Sequence, residues 1–284
     1  MASSSENATA TNPFDETRGS NSGGAVKPTL LAFHGSGSNA TVHRVQLARL
    51  MRVTNPYFEI EVLEAPFPSP AGPGVLPFFD GCGPFKRWLP PTEKVSIETM
   101  RNGGSTSGMS VEVETLVRET VLRIRSEGGK VVGLIGFSQG TKVVAGLLRA
   151  SDLRRTLPDL ASNPDLSWCD FSFALSVCAS YPPPLFPPSI TAQIPSDQAE
   201  ALLKEKIKLP AFHVQGAQDE WNWAGRGMIE RFYDVSEGGK SELVEWEMGH
   251  HYPVKPEESQ RIGEWLIERL REVEVESAGG KTVR

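Results

Sequence analysis

The stretch VVGLIGFSQGTKVVAGLL, Val131 to Leu148, decides how the chain is read. It is a short apolar run, a turn carrying Gly136-Phe137-Ser138-Gln139-Gly140, and the small-residue start of a helix. A G-x-S-x-G pentapeptide means little alone; set between a strand and a helix it is a nucleophile turn. Such a turn strains the serine backbone, and the flanking glycines let strand and helix pass close by. Ser138 then projects its hydroxyl at the carboxyl end of the strand, beside the positive end of a helix dipole. The bland alternative is a strand-to-helix turn that happens to contain serine.

A hydroxyl at its ordinary pKa is a poor nucleophile, so this reading needs a base and a group that orients the base. Both are found downstream. Leu209 to Gly216 reads as a buried strand and is followed by Ala217-Gln218-Asp219-Glu220; Ser241 to Met248 reads as the next strand and runs into Gly249-His250-His251-Tyr252-Pro253. The order Ser138, Asp219, His250 matches the Ser…Asp/Glu…His order of α/β-hydrolases. Asp219 is favoured over Glu220 because a short carboxylate just past the Gly216 turn reaches an imidazole Nδ1; its alternative role is a helix cap near Trp221. His250 competes with His251. Of the other histidines, His213 falls inside a strand and is expected to be packed, and His43 is placed on a solvated helix face.

A second strand-turn-helix unit lies earlier, where Leu30-Leu31-Ala32-Phe33 runs into His34-Gly35-Ser36-Gly37-Ser38-Asn39. A helix entry with small residues offers free backbone N–H groups, the equipment for holding a tetrahedral oxyanion. The amides of Ser36 and of Gln139, the residue after the nucleophile, are the expected oxyanion hole. Phosphate binding is the competing use of such a turn, but the third glycine is missing and no Gly-Lys-Ser/Thr follows. His34 is expected to hold the turn by side-chain hydrogen bonds.

Taken together, His34-Gly35-x-Gly37-x-Asn39, Gly136-Phe137-Ser138-Gln139-Gly140, Gly216-x-x-Asp219 and Gly249-His250-x-x-Pro253 resemble the fungal serine hydrolase (FSH) family of the α/β-hydrolase fold. The resemblance spans about Pro28 to Leu270. It implies His250 rather than His251 as base, and hydrolysis of a carboxylic ester or thioester with no metal or organic cofactor. Several relatives resemble hydrolases that release or trim acyl products in fungal polyketide pathways, so a small-molecule acyl substrate, free or bound to a carrier protein, is the implied partner. Fold does not fix substrate.

Composition agrees with one α/β domain. The chain has 284 residues, enough to bury a large single core. Its formal charge of -6 and lack of a Lys/Arg cluster give no reason to expect nucleic acid or an anionic membrane as partner. The three cysteines, Cys82, Cys169 and Cys178, are too few and scattered for a disulfide framework or a zinc site. Residues 1–27 read as a Ser/Asn/Thr/Gly-rich disordered tail without an apolar signal region, and 276–284 as a frayed end. No run of about twenty apolar residues exists, so a cytoplasmic enzyme is expected. Oligomeric state is not legible.

Within the domain, 28–275, alternating strands and helices imply a doubly wound, mostly parallel sheet. Strands are predicted at Thr29–Phe33, Phe58–Glu64, Val131–Gly136, Phe171–Cys178, Ala211–Val214 and Leu243–Glu247. Helices are predicted at Thr41–Thr54, Ser110–Glu127, Gln139–Ala150, Asp197–Lys206, Trp223–Tyr233 and Glu257–Glu272. Two insertions break the alternation. The segment 66–109 is rich in proline and aromatics, which need somewhere to pack, so it is expected to fold lid-like over the nucleophile. The segment 178–197 is expected to form the opposite wall. Phe79, Trp88, Tyr181 and Trp221 are the candidate pocket residues, and the aromatic insertion favours an apolar or aromatic acyl group over a charged one. Two rival readings stand: an acyltransferase passing the group to an alcohol or amine, and a non-catalytic binding protein on the same fold.

Overall fold

The computed structural model describes residues 26–102 and 104–279. The tail expected over 1–27 lies outside these except for Val26 and Lys27, and so do residues 280–284. Six strands, β1 (Thr29–Phe33), β2 (Glu59–Leu63), β5 (Val131–Phe137), β6 (Phe173–Val177), β7 (Ala211–Gly216) and β8 (Glu242–Trp246), form one sheet in the order β2-β1-β5-β6-β7-β8. Every neighbouring pair is parallel. Two short strands, β3 (Phe67–Ser69) and β4 (Phe85–Arg87), pair antiparallel in a separate ribbon inside the insertion.

The helices are α1 (Ala40–Gln46), α2 (Ala48–Thr54), α3 (Ile97–Asn102), α4 (Val111–Ser126), α5 (Gly140–Thr156), α6 (Pro158–Ser162), α7 (Pro188–Thr191), α8 (Ser196–Lys204), α9 (Asn222–Phe232) and α10 (Pro256–Gly279). They cover both faces, which is why β5 reads as a continuous apolar run and is buried at every residue. The strand period of two splits the core. Leu30 and Ala32 pack with Leu50 of α2 and with Ile262, Trp265 and Leu266 of α10. Leu31 and Phe33 pack on the other face with Val113, Val117 and Val121 of α4 and Val143, Val144 and Leu147 of α5.

From β1 the chain moves outward to β2, then crosses back past β1 to β5 and on to β8. That reversal opens a crevice at the carboxyl ends of β1 and β5, where ligands of open α/β sheets bind. Both glycine-rich turns of the sequence stand at its lips.

Some expectations are corrected. The helix read over Thr41–Thr54 is α1 followed directly by α2, with Leu47 between them and its N–H still bonded to His43 O at 2.9 Å. His43 is fully buried rather than solvated, because its face of α1 turns inward and Nε2 meets the Tyr252 hydroxyl at 2.9 Å. The end read as frayed from 276 is helical through Gly279; Val273 packs on the core, and Arg269 pairs with Glu272 one turn on, which extends α10. No helix among the described residues is long and apolar enough to cross a membrane.

His213 lies on β7 with no exposure, its ring 4.2 Å edge-on from Tyr233 and both nitrogens without a partner. Burial pulls its pKa from 6.5 down to about 3. Between those values the unfolded chain binds more protons, so stability falls as pH drops from about 6.5 towards 3. This group contributes a slope of at most about 1.4 kcal/mol per pH unit. Urea unfolding of His213→Phe is expected to match or exceed the parent midpoint at pH 7, since no hydrogen bond is lost, and to show a shallower decline on acidification. The buried His34 and His43, also held low, keep part of the decline in place. An unchanged slope would remove His213 as a source.

Candidate active site

Ser138 has φ 49, in the left-handed region, immediately after β5. Its N–H donates to Val177 O at 3.1 Å, and its carbonyl accepts from Thr141 N at 2.9 Å and Thr141 Oγ1 at 2.6 Å. These bonds hold a conformation that costs roughly 1–3 kcal/mol for a residue with a side chain. Gly140 explains the tight exit into α5: a Cβ there would stand 2.2 Å from Phe33 O.

The structure brings Ser138, His250 and Asp219 together. His250 Nε2 lies 2.9 Å from Ser138 Oγ, and Nδ1 lies 2.7 Å from Asp219 Oδ2. Asp219 is 7% exposed, and its Oδ1 accepts from Trp221 N at 2.9 Å. Burial alone would raise its pKa, but bonds from His250, the Trp221 amide and the Cys178 thiol outweigh that and hold the carboxyl below its usual range. An ionised Asp219 directs the Nδ1 proton of His250 towards itself and leaves Nε2 to accept from the serine. Glu220 is exposed and makes no such contact. His251 is exposed too, its ring turned to Gly249 N and Tyr252 O. Tyr252 steadies the histidine loop from below: it stacks on Phe137 at 5.1 Å while its hydroxyl meets His43.

The two expected oxyanion residues stand beside the serine. Ser36 and Gln139 both line the cavity that holds Ser138 and His250, and neither backbone N–H is taken up in the hydrogen bonds of the described residues. His34, fully buried, braces the turn: Nδ1–H donates to Gly35 O at 2.7 Å and Nε2 accepts from Ala65 N at 3.1 Å. Burial pulls its pKa down to about 4, so it stays neutral. Gly37, at φ 68, lets the loop turn against Gly72.

The cavity has a volume of about 200 Å³. Tyr181 and Trp221 line it; Phe79 and Trp88 do not. Phe79 is half-buried in a turn whose N–H bonds to Val75 O at 2.9 Å, beside a fully projecting Phe78. Trp88 is buried underneath. Its Nε1 donates to His34 O at 2.7 Å, and its backbone N–H donates to Gln139 Oε1 at 2.7 Å. One tryptophan therefore ties the two turns that carry the candidate oxyanion amides. Segment 66–109 still reaches the cavity, through Pro73, Arg87, Val95 and Met100, and segment 178–197 through Ala179, Ser180 and Tyr181. None of these except Tyr181 was legible beforehand. Lys86 and Arg87 are adjacent basic residues, and only the pairing of β4 decides which one meets the cavity.

Cys178, Asp219 and His250 are the one group among the described residues with donor atoms close enough to hold a metal, within 4.8 Å of one another. Burial pushes the Cys178 thiol up, so it remains protonated, and the other two atoms are bonded to each other. A ligand set needs a thiolate and free donor atoms, and this one has neither.

Residues 24–262 match the family model described as Serine hydrolase (FSH1). The chain belongs to this serine hydrolase family. An esterase of Monascus ruber, pigG, is 30% identical over 245 residues, covering 80% of this chain and 86% of that one. The dihydromonacolin L-[lovastatin nonaketide synthase] thioesterase of Aspergillus terreus is 29% identical over 255 residues, covering 86% of this chain and 91% of its own. Among solved structures, Zea mays acyl-protein thioesterase 2 superposes with a TM-score of 0.51 at 19% identity, over 87% of this chain and 95% of that one, a likeness of fold. This FSH1-family chain is an α/β-hydrolase and a hydrolytic enzyme.

In an FSH1-family hydrolase built this way, Trp88→Phe keeps an aromatic ring at the position but deletes the indole N–H that holds His34 O and leaves a small void. The variant is expected to unfold within a few degrees of the parent. Its kcat should fall by about 10-fold, less than the about 10²–10³-fold that follows loss of a whole oxyanion donor. Steady-state hydrolysis of a 4-nitrophenyl ester reads this; a kcat equal to the parent's would mean that the indole does not position the turn.

Proposed function

We propose that this chain hydrolyses a carboxylic ester or thioester by way of an acyl-enzyme on Ser138. The observation that carries the reading is the continuous hydrogen-bond chain from Ser138 Oγ through His250 to Asp219 Oδ2. His250 takes the Ser138 proton as the oxygen attacks the acyl carbon, and Asp219 stabilises the imidazolium that forms. The Ser36 and Gln139 amides hold the oxyanion. His250 then protonates the departing alcohol or thiol, and a water activated by the same histidine releases the acid and restores Ser138.

The family names support both leaving groups. The Aspergillus terreus relative is named as a thioesterase of a product attached to a nonaketide synthase. On that basis the substrate proposed here is an acyl product of polyketide type, including one carried as a thioester on a carrier protein. Ala179, Ala224, Val95, Met100 and the face of Trp221 supply the apolar wall for it. The three cysteines are unpaired, which fits a reducing compartment such as the cytoplasm.

Intact mass after treatment with a fluorophosphonate tests the nucleophile. A single adduct is expected on the parent, none on Ser138→Ala, and slow formation on His250→Ala. Ser138→Ala should fold as the parent does and lose nearly all acyl hydrolysis. Substantial activity in that variant would sink the assignment. No adduct on the parent would favour a binding protein on the same fold.

A further inference from the structure

We propose that Arg87 is a specificity-determining residue that receives an anionic oxygen group of the substrate. The proposal rests on the reading that the Ser138 cavity is the acyl-binding site. Arg87 is the one lysine or arginine lining that cavity, which it shares with Ser36, Ser138, Gln139, Tyr181 and His250. Its backbone is firmly placed. It closes β4, whose Lys86 accepts from Gly37 N at 2.8 Å and donates to Ser38 O at 2.7 Å, so the loop carrying Ser36 and the strand carrying Arg87 move as one.

The side chain is under-used. Among the described residues its one hydrogen bond runs from Nη2 to Pro90 O at 2.8 Å, and the buried Nε has no partner. A guanidinium offers five N–H donors in a planar fork; here Nη1 has no protein acceptor among the described residues, and the unpaired buried Nε–H is unfavourable until one arrives. A purely apolar acyl group would leave that cost in place.

Tyr181 adds a second donor. Its side chain is 3% exposed, it lines the same cavity, and its phenol oxygen has no hydrogen-bond partner. Burial pushes the phenol up to about 12; the Ser105 hydroxyl and, more weakly, the Arg87 guanidinium pull the other way, and the Glu93 carboxylate adds to the rise. The phenol therefore keeps its proton and remains able to donate. Neighbouring polar groups are already committed. Ser105 Oγ, beside the phenol, donates to Glu93 Oε1 at 3.2 Å, and the same oxygen accepts from Thr106 N at 2.9 Å. Lys142 Nζ, behind the wall, is spent on Tyr181 O at 3.1 Å and Pro183 O at 2.5 Å. The cationic fork matches two oxygens sharing a negative charge, with the buried Tyr181 phenol behind it able to turn towards them.

Such a group has two chemical sources: a carboxylate on the acyl chain, or the phosphate of a phosphopantetheine leaving group. One pair of probes tests each. Mono-4-nitrophenyl glutarate against 4-nitrophenyl valerate reads a carboxylate on the acyl side; butyryl phosphopantetheine against butyryl pantetheine reads a phosphate on the leaving side. The parent is expected to prefer the anionic member of one pair by about 10–100-fold in kcat/KM, the range for a hydrogen bond to a charged group. Arg87→Gln should bring that ratio near one, and Arg87→Lys should keep it within a few-fold of the parent. Using the ratio within each variant removes any general loss of folded enzyme. Calorimetry of the glutarate and valerate esters, and of the two thioesters, on Ser138→Ala reads the same preference without turnover. That result stands even if Ser138 proves not to be the nucleophile. A parent without preference for either anion, or a preference untouched in Arg87→Gln, overturns the proposal.

Discussion

Helix α5 leaves β5 so close to β1 that only glycine fits at the contact. A Cβ on Gly140 would meet Phe33 O at 2.2 Å, and one on Gly136 would meet Thr141 Cα at 2.9 Å. The rest of the site depends on this approach. It goes with the turn that puts Ser138 at φ 49 and sets Gln139 beside Ser36 in the cavity wall. The strain is carried by a helix buried almost throughout, whose most deeply buried charged groups are paired. Arg149 Nη1 meets Asp152 Oδ2 at 2.7 Å, and Nη2 meets Leu202 O at 2.5 Å. A helix anchored on all sides can hold an unfavourable residue at its start.

Asp219 and His250 reach Ser138 from neighbouring strand ends, β7 and β8. Their loops are laced together by Ala217 N to Trp246 O at 2.8 Å and Gln218 N to Met248 O at 3.0 Å. Two residues far apart in sequence are thus set by one parallel pairing. The same device acts across the insertions. Met109 N donates to Phe186 O at 2.9 Å and Phe186 N to Ser107 O at 2.7 Å, so the two cavity walls are a single bonded frame.

The sheet, and the meeting of Ser138, Asp219 and His250 at its edge, were legible for a common reason. Strand period, glycine punctuation and chain order all report on regular elements, and the residues of interest sit at their ends. The observed β1 has the expected bounds, and the other five sheet strands differ at their ends by one to two residues. What escaped lies where backbone direction is set by long-range pairing. Trp88 and Phe79 look alike as aromatics near the site, yet one is a buried strut and the other a half-buried turn residue. Val111, the first apolar residue of α4, is 65% exposed, and it is Val113 that is buried below the Ser110 cap. His43 carries no local mark of the Tyr252 hydroxyl that buries it. Arg87 was invisible as a cavity residue because the register of β4 alone turns it there.

The bonding of β4 changes what kind of object the insertion is. A flap that swings free must have a face it can leave, but this ribbon is stitched to the Gly37 loop on one edge and its tryptophan is wedged beneath Gln139. Lifting it would pull apart the turns of Ser36 and Gln139 along with the cover. The floor and the roof of the chamber are one piece of masonry there, so the doorway has to be elsewhere. The looser wall is that of α3, the short helix with no buried residue, which lends Met100 to the cavity and sets Arg101 5.1 Å from the ring of Trp223.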